Sequence, residues 1–163
     1  MRRLILMRHA KSDWNHPELS DHDRPLNKRG RASAKALGAW LRRKGHAPDQ
    51  VLCSSSQRTG ETLLGLKLDP EPQTSFVRAL YHASPEGMMD VLRSAQGTCV
   101  LVLGHNPGIS FFAHQLLTEH PDHIRFDDYP TGATVICDFA IQDWADVDWR
   151  QGQLVDFVIP REL

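Results

Sequence analysis

The sequence predicts an α/β fold: a three-layer sandwich in which helices flank a mainly parallel central sheet. Strand and helix signals alternate along the whole chain, in the order β-α-β-α-β-α-β. The run Val100-Leu101-Val102-Leu103 is apolar without a break, which is typical of a strand covered on both faces. A chain of 163 residues fits one compact domain, so we expect residues 1–163 to form a single one.

The first half of the chain carries two strand signals and two helix signals. Leu37, Trp40 and Leu41 form one helical stripe, and Gly45 is expected to end that helix. The proline-bearing segment Asp69 to Pro72 ends the other helix. In order, we predict a strand over Arg2 to Met7, a helix over Asn27 to Lys44, a strand over Gln50 to Ser54, and a helix capped by Ser55 or Ser56 that runs toward Leu66.

The second half continues the alternation and ends in strands. Ser84-Pro85-Glu86 is expected to open a helix. Asn106 is expected to cap, and Pro107 to start, a further helix whose apolar residues keep helical spacing over two turns. Thr134 to Ile141 and Leu154 to Ile159 predict two final strands, which can pair antiparallel at an edge.

The charge balance excludes several classes of partner. Lys and Arg total 19 against 20 Asp and Glu, a formal net charge of −1, so no overall field attracts nucleic acid or anionic lipid. The first apolar run ends at Arg8, short of the roughly 7–15 residues of a signal-peptide core. No stretch approaches the roughly 18 apolar residues of a membrane span. We therefore expect a cytoplasmic protein with no nucleic-acid or membrane partner, in which any anion site is local.

The cysteines do not indicate a disulfide framework or a zinc site. Cys53, Cys99 and Cys137 are odd in number, far apart, and each lies in an apolar run. We expect reduced thiols in the core.

The side chains best suited to binding or catalysis follow three of the predicted strands. In an open α/β sheet, ligands bind beyond the carboxyl ends of the strands. Those ends read Arg8-His9, Ser54 to Arg58, and Gly104-His105-Asn106-Pro107. Each offers a cation or an imidazole, and two lead directly into a helix N-terminus, which favours an anion. This convergence predicts a phosphate site.

The residue types at these ends suit phosphoryl transfer through histidine. Arg8 and Arg58 can each present a rigid fork to phosphoryl oxygens, and a neutral imidazole is a competent nucleophile. The hypothesis is that His9 attacks phosphorus, that His105 donates to the phosphoryl oxygens, and that water then hydrolyses the phosphohistidine. No metal or cofactor is required. One nitrogen of His9 must be unprotonated while the other donates to an acceptor, which the sequence does not identify.

These motifs resemble the histidine phosphatase superfamily, which includes the phosphoglycerate mutases. The segment from Arg8 to Asn15 resembles its Arg-His-Gly signature, with Ala10 where Gly is commoner. The segments 23–30, Ser54 to Thr62 and 104–107 match later blocks of the superfamily in order. Within the superfamily the similarity is greatest to the short SixA-type phosphohistidine phosphatases, and it rests on the Lys-Ser-Asp-Trp sequence after Ala10 and on the blocks 80–85, 105–108 and 130–133.

The resemblance implies a phosphoglycerate mutase-like fold and roles for particular residues. His9 corresponds to the phosphorylated nucleophile, and Arg8, Arg58 and His105 to the phosphate pocket. Ser12 and Asn15 fall where mutase relatives place loop contacts to phosphate, and Asn106 is a further substrate-binding candidate. The expected activity is metal-independent dephosphorylation of phosphohistidine on a protein, such as a phosphotransfer or signalling protein. A small phosphorylated substrate is the alternative.

One departure from the family bears on the substrate. Mutases place a general-acid Glu in the stretch that here reads Arg78 to His82, which holds no carboxylate. A phosphoramidate nitrogen is a more labile leaving group than an alkoxide and needs less help from an acid, so phosphohistidine is favoured over a sugar phosphate. Asp21, Asp23 and Glu86 remain candidate acids. The short connections predict an open site, unless Thr118 to Tyr129 folds over it.

Three other interpretations stay open. Cys53 precedes Arg58 as in a cysteine phosphatase, but only four residues intervene where such enzymes need five. A metal-dependent hydrolase would use the polar loop of Asp13, His16, Asp21, His22 and Asp23, whose spacing matches no established ligand motif. A binding module that holds a phosphorylated partner without turnover would explain the missing Glu.

Overall fold

A six-stranded mixed sheet with helices on both faces makes up the computed structural model, which describes all 163 residues. The strands are β1 Arg2–Arg8, β2 Gln50–Ser54, β3 Gln73–Val77, β4 Cys99–Gly104, β5 Thr134–Phe139 and β6 Gln153–Val158. The α-helices are α1 Lys28–Lys44, α2 Gln57–Leu66, α3 Pro85–Arg93 and α4 Gly108–Leu116. Short 3₁₀ helices cover Asp21–Asp23, Arg78–Leu80, Trp144–Asp146 and Pro160–Glu162.

The strand order confirms the predicted fold class. From edge to edge it is β3-β2-β4-β1-β5-β6. The four strands from β3 to β1 are parallel, and β5 and β6 complete the sheet with antiparallel pairings. The apolar strand β4 is central, as its uninterrupted hydrophobic run predicts.

Two apolar clusters form the core, one on each face of the sheet. Alternate side chains of β1 point to opposite faces, so Leu4 and Leu6 join one cluster while Ile5 and Met7 join the other. Helices α3 and α4 cover the first face, and α1 and α2 supply apolar side chains to the second. The result is the expected three-layer arrangement.

The helix boundaries follow the predicted capping residues with one exception. Asn27, Ser56 and Ser84 each accept a backbone N–H at the start of a helix, and Gly45 ends α1 in the left-handed conformation at φ 72°. The exception is α4. The prediction that Asn106 caps it is wrong, because Pro107 occupies the cap position.

The sequence does not predict β3. This strand is the sheet edge, four of its five residues are exposed, and prolines precede it, so no run of apolar residues marks it. The strand predicted over Thr134 to Ile141 is also shorter than expected and ends at Phe139. None of the four α-helices has the length and hydrophobicity of a transmembrane helix.

Candidate active site

Strand pairing brings the two predicted histidines together. Arg8 on β1 pairs with Gly104 on β4, so the next residues along each strand, His9 and His105, lie side by side at the carboxyl edge. The His9 backbone N–H donates to the Gly104 carbonyl at 3.1 Å, and the imidazole centroids are 5.3 Å apart. On the other side of β4, β2 ends at Ser54 and leads into α2, which carries Arg58.

A cavity of about 300 Å³ lies at this edge and contains most of the predicted residues. Six of the seven candidates line it, and Asn15 does not. Lys11, Trp14, Arg24 and Thr131 complete the wall. Four of the ten lining side chains are Lys or Arg, and none is a carboxylate. The six candidates are Arg8, His9, Ser12, Arg58, His105 and Asn106.

The imidazole of His9 is held in a single neutral tautomer. Its Nδ1 lies 2.7 Å from the Ala10 carbonyl oxygen, which can only accept, so Nδ1 carries the proton. Nε2 accepts from Arg58 Nε at 3.3 Å and therefore presents a lone pair. Burial, opposed by the Ala10 bond and reinforced by His105 and the two arginines, lowers the pKa of His9 to about 3. At neutral pH Nε2 is available as a nucleophile.

Arg58 is buried and fixed by several acceptors. Its Nη1 donates to the Asp21 carbonyl oxygen at 2.7 Å, and its Nη2 contacts the Asp21 carboxylate at 3.1 Å. The same Nη2 donates to His105 Nδ1 at 3.3 Å. The guanidinium thus spans both imidazoles, in the first turn of a helix whose macrodipole disfavours a cation without a compensating anion.

Asp21 is the acid of this network and stays ionised. Burial alone would raise its pKa, but hydrogen bonds from Tyr81, Arg24 and Arg58 outweigh this and hold the pKa well below its usual range. Its carboxylate also lies 3.5 Å from His82 Nε2. A carboxyl that is ionised throughout the working pH range cannot donate a proton to a leaving group, which removes Asp21 from the candidate acids.

His105 is neutral, with its tautomer set by two neighbours. Because Arg58 can only donate, Nδ1 of His105 is the acceptor, and Nε2 carries the proton that it donates to Ser54 Oγ at 2.8 Å. Burial, with Arg58 and His82 as further causes, lowers the pKa of His105 to about 3. In this state the face toward Arg58 offers a lone pair rather than an N–H.

Arg8 and Asn106 share an acceptor at the base of the cavity. Arg8 Nη1 and Asn106 Nδ2 both donate to the Tyr129 carbonyl at 3.1 Å. Arg8 Nε and Asn106 Oδ1 are buried and have no protein partner. A buried charged donor without a partner is costly, and a bound oxyanion would satisfy it. Burial, together with Arg58, lowers the pKa of Arg8.

Ser12 and Trp14 belong to the loop after β1 and are organised by Arg24. Arg24 is buried and donates from Nη1 to Ser12 Oγ at 2.7 Å. Its guanidinium carbon lies 3.6 Å from the centroid of the Trp14 ring, a cation–π contact. Trp14 itself is 74% exposed. An aromatic face therefore stands at the mouth of the cavity.

Several candidates from the sequence lie elsewhere. Asn15 is exposed, and its backbone N–H donates to Asp13, so its contact with phosphate stays a prediction. Asp23 and Glu86 are exposed and do not line the cavity. The segment from Thr118 to Tyr129 contributes no lining side chain.

The sequence does not single out three side chains that organise the site. Asp21 is considered only as a general acid or a metal ligand, Arg24 only as part of a matching block, and Ser54 only as the end of a strand. Of the three, only Arg24 could have been identified from the sequence, because it is a cation in a polar loop that matches a family block. The other two are recognised only by their contacts.

The geometry disfavours two alternative sites. Cys53 is fully buried in the sheet, and burial raises the pKa of its thiol to about 12, far from the thiolate that a cysteine phosphatase needs. The five polar residues from Asp13 to Asp23 do not converge, and no group of three or more His, Cys, Asp or Glu side chains has metal-binding geometry.

Comparison with known proteins agrees with this arrangement. Residues 4–75 match the family model of the histidine phosphatase superfamily (branch 1). An uncharacterised protein from Mycobacterium tuberculosis is 35% identical over 163 residues, which cover 95% of this chain and 100% of that protein. A structure assigned as the phosphohistidine phosphatase SixA from Nakamurella multipartitia superposes with a TM-score of 0.83 at 29% identity, covering 98% of this chain and 96% of that one.

A further solved structure, the protein histidine phosphatase SixA in complex with tungstate, has a TM-score of 0.79 at 19% identity over 98% of each chain. It supports the fold. The chain belongs to the histidine phosphatase superfamily and, within it, to the SixA-type branch. This family and these neighbours support a phosphatase.

Proposed function

We propose that this chain removes the phosphoryl group from phosphohistidine on a protein, through a phosphohistidine intermediate on His9. The observation that carries the proposal is the bond from His9 Nδ1 to the Ala10 carbonyl at 2.7 Å. It leaves Nε2 as a lone pair facing the buried Arg58 at 3.3 Å, and the half-buried Arg8 lines the same cavity. That combination suits a nucleophile beside an anion site.

The first step is transfer of the phosphoryl group to His9. Arg8 and Arg58 bind the phosphoryl oxygens, with the free Nε of Arg8 among the donors. The lone pair on His9 Nε2 attacks phosphorus, and the bond between phosphorus and the substrate imidazole breaks. When the other nitrogen of the substrate imidazole is protonated, the leaving group departs as neutral imidazole and takes no proton from the enzyme.

The second step is hydrolysis of the phosphorylated His9. With Nε2 bonded to phosphorus and Nδ1 still protonated, the ring of His9 is a cation, which the Ala10 carbonyl stabilises. Water attacks phosphorus, the P–N bond breaks, and its electron pair returns to Nε2. His9 regains its neutral tautomer, and the proton of the water passes to the phosphate product. Both steps therefore balance without a carboxylic acid in the site.

The lack of a competent acid supports phosphohistidine over a phosphoester. An alkoxide leaving group would need a proton, and the nearest carboxylate, Asp21, is held ionised. A cavity with no cover from the segment 118–129 supports a substrate side chain on another protein. We further propose that residues 1–163 act as one domain in the cytoplasm, without a metal or cofactor.

The test is phosphate release in EDTA from a phosphohistidine-bearing protein, p-nitrophenyl phosphate and 3-phosphoglycerate. Wild type is compared with His9→Ala, and with His120→Ala as a control at an exposed histidine away from the site. We expect wild type and His120→Ala to release phosphate preferentially from phosphohistidine. We expect His9→Ala to release none. Preference for a phosphoester would overturn the proposed substrate, and near-normal activity of His9→Ala would remove His9 as nucleophile. Phosphate binding without release from any substrate would indicate a binding module.

A further inference from the structure

A second cavity, of about 500 Å³, adjoins the proposed catalytic one. Lys11 and Thr131 line both, so the two cavities are continuous along the surface. Four cationic side chains line the second cavity and no carboxylate does. We call this surface the basic cleft, defined by Lys11, Arg29, Arg125 and Arg161.

Most of the positive charge in the basic cleft is not neutralised by the protein. Lys11, Arg29 and Arg161 are exposed and form no ion pair, whereas Arg125 pairs with Asp128 at 2.9 Å. Glu162, next to Arg161 in the sequence, contacts His123 at 3.0 Å instead. In a chain with a net charge of −1, three unpaired cations on one surface form a local field that attracts anions.

The start of α1 adds to this field. Its first turn contains Lys28, Arg29 and Arg31 and no acidic residue. A helix macrodipole places positive charge at the N-terminus, where carboxylates are normally favoured and cations are not. Placing cations there costs stability in the free protein, which an anion outside the chain would relieve.

The arrangement of cations in the basic cleft suits a ligand other than a single phosphate. The catalytic cavity holds its oxyanion donors in fixed positions, with Arg58 buried and Arg8 half-buried. The cleft instead offers cations on long flexible side chains, three of them exposed and Arg125 half-buried, from the loop after β1, from α1, from the segment before β5 and from the C-terminal 3₁₀ helix. Cations spread in this way match several separated carboxylates better than one compact dianion.

We propose that the basic cleft binds an acidic segment of the phosphorylated protein, next to its phosphohistidine. This inference rests on the proposed function, since the continuity through Lys11 and Thr131 is what places such a segment beside the phosphoryl group. Asp and Glu residues near the phosphohistidine in sequence or in space occupy the cleft while His9 faces the phosphorus. The cleft thereby selects among protein substrates that carry the same reacting group.

The kinetic test compares two phosphohistidine peptides of equal length, one flanked by Asp and Glu and one by Asn and Gln. The variants are Arg29→Gln, Arg161→Gln and the double variant. Arg43→Gln is the matched control, an exposed, unpaired arginine at the other end of α1. At low ionic strength we expect wild type to favour the acidic peptide by about fivefold or more in kcat/KM, and the double variant to lose that preference.

The control and the neutral peptide show whether the effect is specific. Hydrolysis of the neutral peptide is expected to be the same in every variant, and Arg43→Gln is expected to keep the wild-type preference. Added salt is expected to remove the preference in wild type, because exposed charge pairs are screened. Equal hydrolysis of both peptides by wild type, or an acidic preference that survives in the double variant, would overturn the proposal.

A binding experiment tests this inference independently of the proposed function. Fluorescence anisotropy measures binding of an unphosphorylated, labelled Asp/Glu peptide to His9→Ala, with and without Arg29→Gln and Arg161→Gln. Binding that depends on these arginines, in an enzyme that releases no phosphate from phosphohistidine, would keep the acidic-segment site while rejecting the activity. Tripolyphosphate is the competitor: displacement of the peptide at far lower concentration than an unlabelled copy of the peptide would assign the cleft to a small polyanion and overturn the proposal.

Discussion

Arg58 is held in place by Asp21, which it contacts through both the main chain and the side chain. Nη1 donates to the carbonyl oxygen at 2.7 Å and Nη2 to the carboxylate at 3.1 Å. The carboxylate also binds Arg24, which in turn holds Ser12. One acid thus orients two of the cations around the proposed nucleophile, on a 3₁₀ turn 37 residues away from Arg58 in the sequence.

Asp21→Asn should show how much the orientation of Arg58 contributes to activity, because Arg58 keeps its positive charge in this variant. The amide keeps an acceptor and the main-chain contact, but the charge that fixes the guanidinium is lost. We expect kcat on phosphohistidine to fall by about tenfold, because charge-assisted bonds are roughly twice as strong as neutral ones. Binding of orthophosphate should not weaken, since a negative charge near the anion has been removed.

Steady-state kinetics with orthophosphate as a competitive inhibitor measures both quantities. Asp23→Asn is the matched control, on the same turn and likewise exposed, but without the contacts to Arg58 that Asp21 makes. An unchanged kcat in Asp21→Asn would show that Arg58 does not depend on this ion pair, and parallel losses in Asp23→Asn would point to a general effect on the loop.

The two buried histidines should make the fold sensitive to acid. The pKa values of His9 and His105 are about 3 in the folded state and about 6.5 in an unfolded chain. Between these values the unfolded state binds more protons than the folded state, so the free energy of unfolding falls as pH falls. Each histidine contributes a slope of up to about 1.4 kcal/mol per pH unit, beginning near pH 6.5 and ending near pH 3.

Urea unfolding at a series of pH values checks this slope. His9→Gln and His105→Gln should each flatten the dependence below about pH 6.5, because glutamine does not titrate. His120→Gln, at an exposed histidine, should leave it unchanged. A wild-type stability that is constant from about pH 7 to 5 would contradict the neutral, buried state of both rings.

The meeting of the strand ends could be predicted from sequence, and the contacts at that edge could not. Parallel strands place their carboxyl ends together, so Arg8-His9, Ser54 to Arg58 and His105 were bound to converge once the strands were recognised. The Ala10 carbonyl that fixes His9 has no sequence signal, since every residue carries a carbonyl. Asp21 reaches Arg58 only through the tertiary fold.

The sequence assigns one helix cap wrongly and misses one strand. Asn106 has the chemistry of a helix cap, but its side chain instead donates to the carbonyls of Asp128 and Tyr129, and Pro107 takes the cap position. The edge strand β3 follows prolines and is mostly exposed, so it lacks the apolar period by which the other strands are recognised. Both outcomes were decided by tertiary contacts rather than by local propensity.

Oxyanion binding should protonate His105. In the free protein its Nδ1 accepts from Arg58 at 3.3 Å. An oxyanion that draws the Arg58 donors leaves Nδ1 facing negative charge, which favours the imidazolium and raises the pKa of His105. The second N–H of that imidazolium keeps its acceptor, Ser54 Oγ at 2.8 Å. We therefore expect binding of tungstate, a dianion near neutral pH, to take up close to one proton.

Calorimetry of tungstate binding at about pH 7.5, in buffers of different ionisation enthalpy, counts the protons taken up. His105→Gln should bind without uptake. Ser54→Ala should bind more weakly than wild type, by about five- to tenfold, because the imidazolium loses an acceptor for its buried N–H. Binding by wild type with no proton uptake would mean that His105 stays neutral and that its lone pair never faces the anion.

Trp14 should contribute to the choice of leaving group rather than to phosphate binding. One face of its ring is covered by Arg24 at 3.6 Å, and its side chain is 74% exposed at the mouth of the cavity. An imidazole leaving group can stack on the open face, and aromatic pairs contribute about 0.5–1.5 kcal/mol beyond area burial. Trp14→Ala is therefore expected to raise KM for a phosphohistidine peptide by about two- to tenfold.

Two comparisons test whether Trp14 contacts the leaving group directly. Inhibition by orthophosphate, which has no ring, should be the same in wild type and Trp14→Ala, while Trp14→Phe should retain most of the affinity for the peptide. If Trp14→Ala weakens orthophosphate as much as the peptide, the ring acts by holding Arg24 and Ser12 in place. Because the peptide and orthophosphate share the phosphoryl contacts and differ in the leaving group, the ratio of their affinities isolates the stacking contribution.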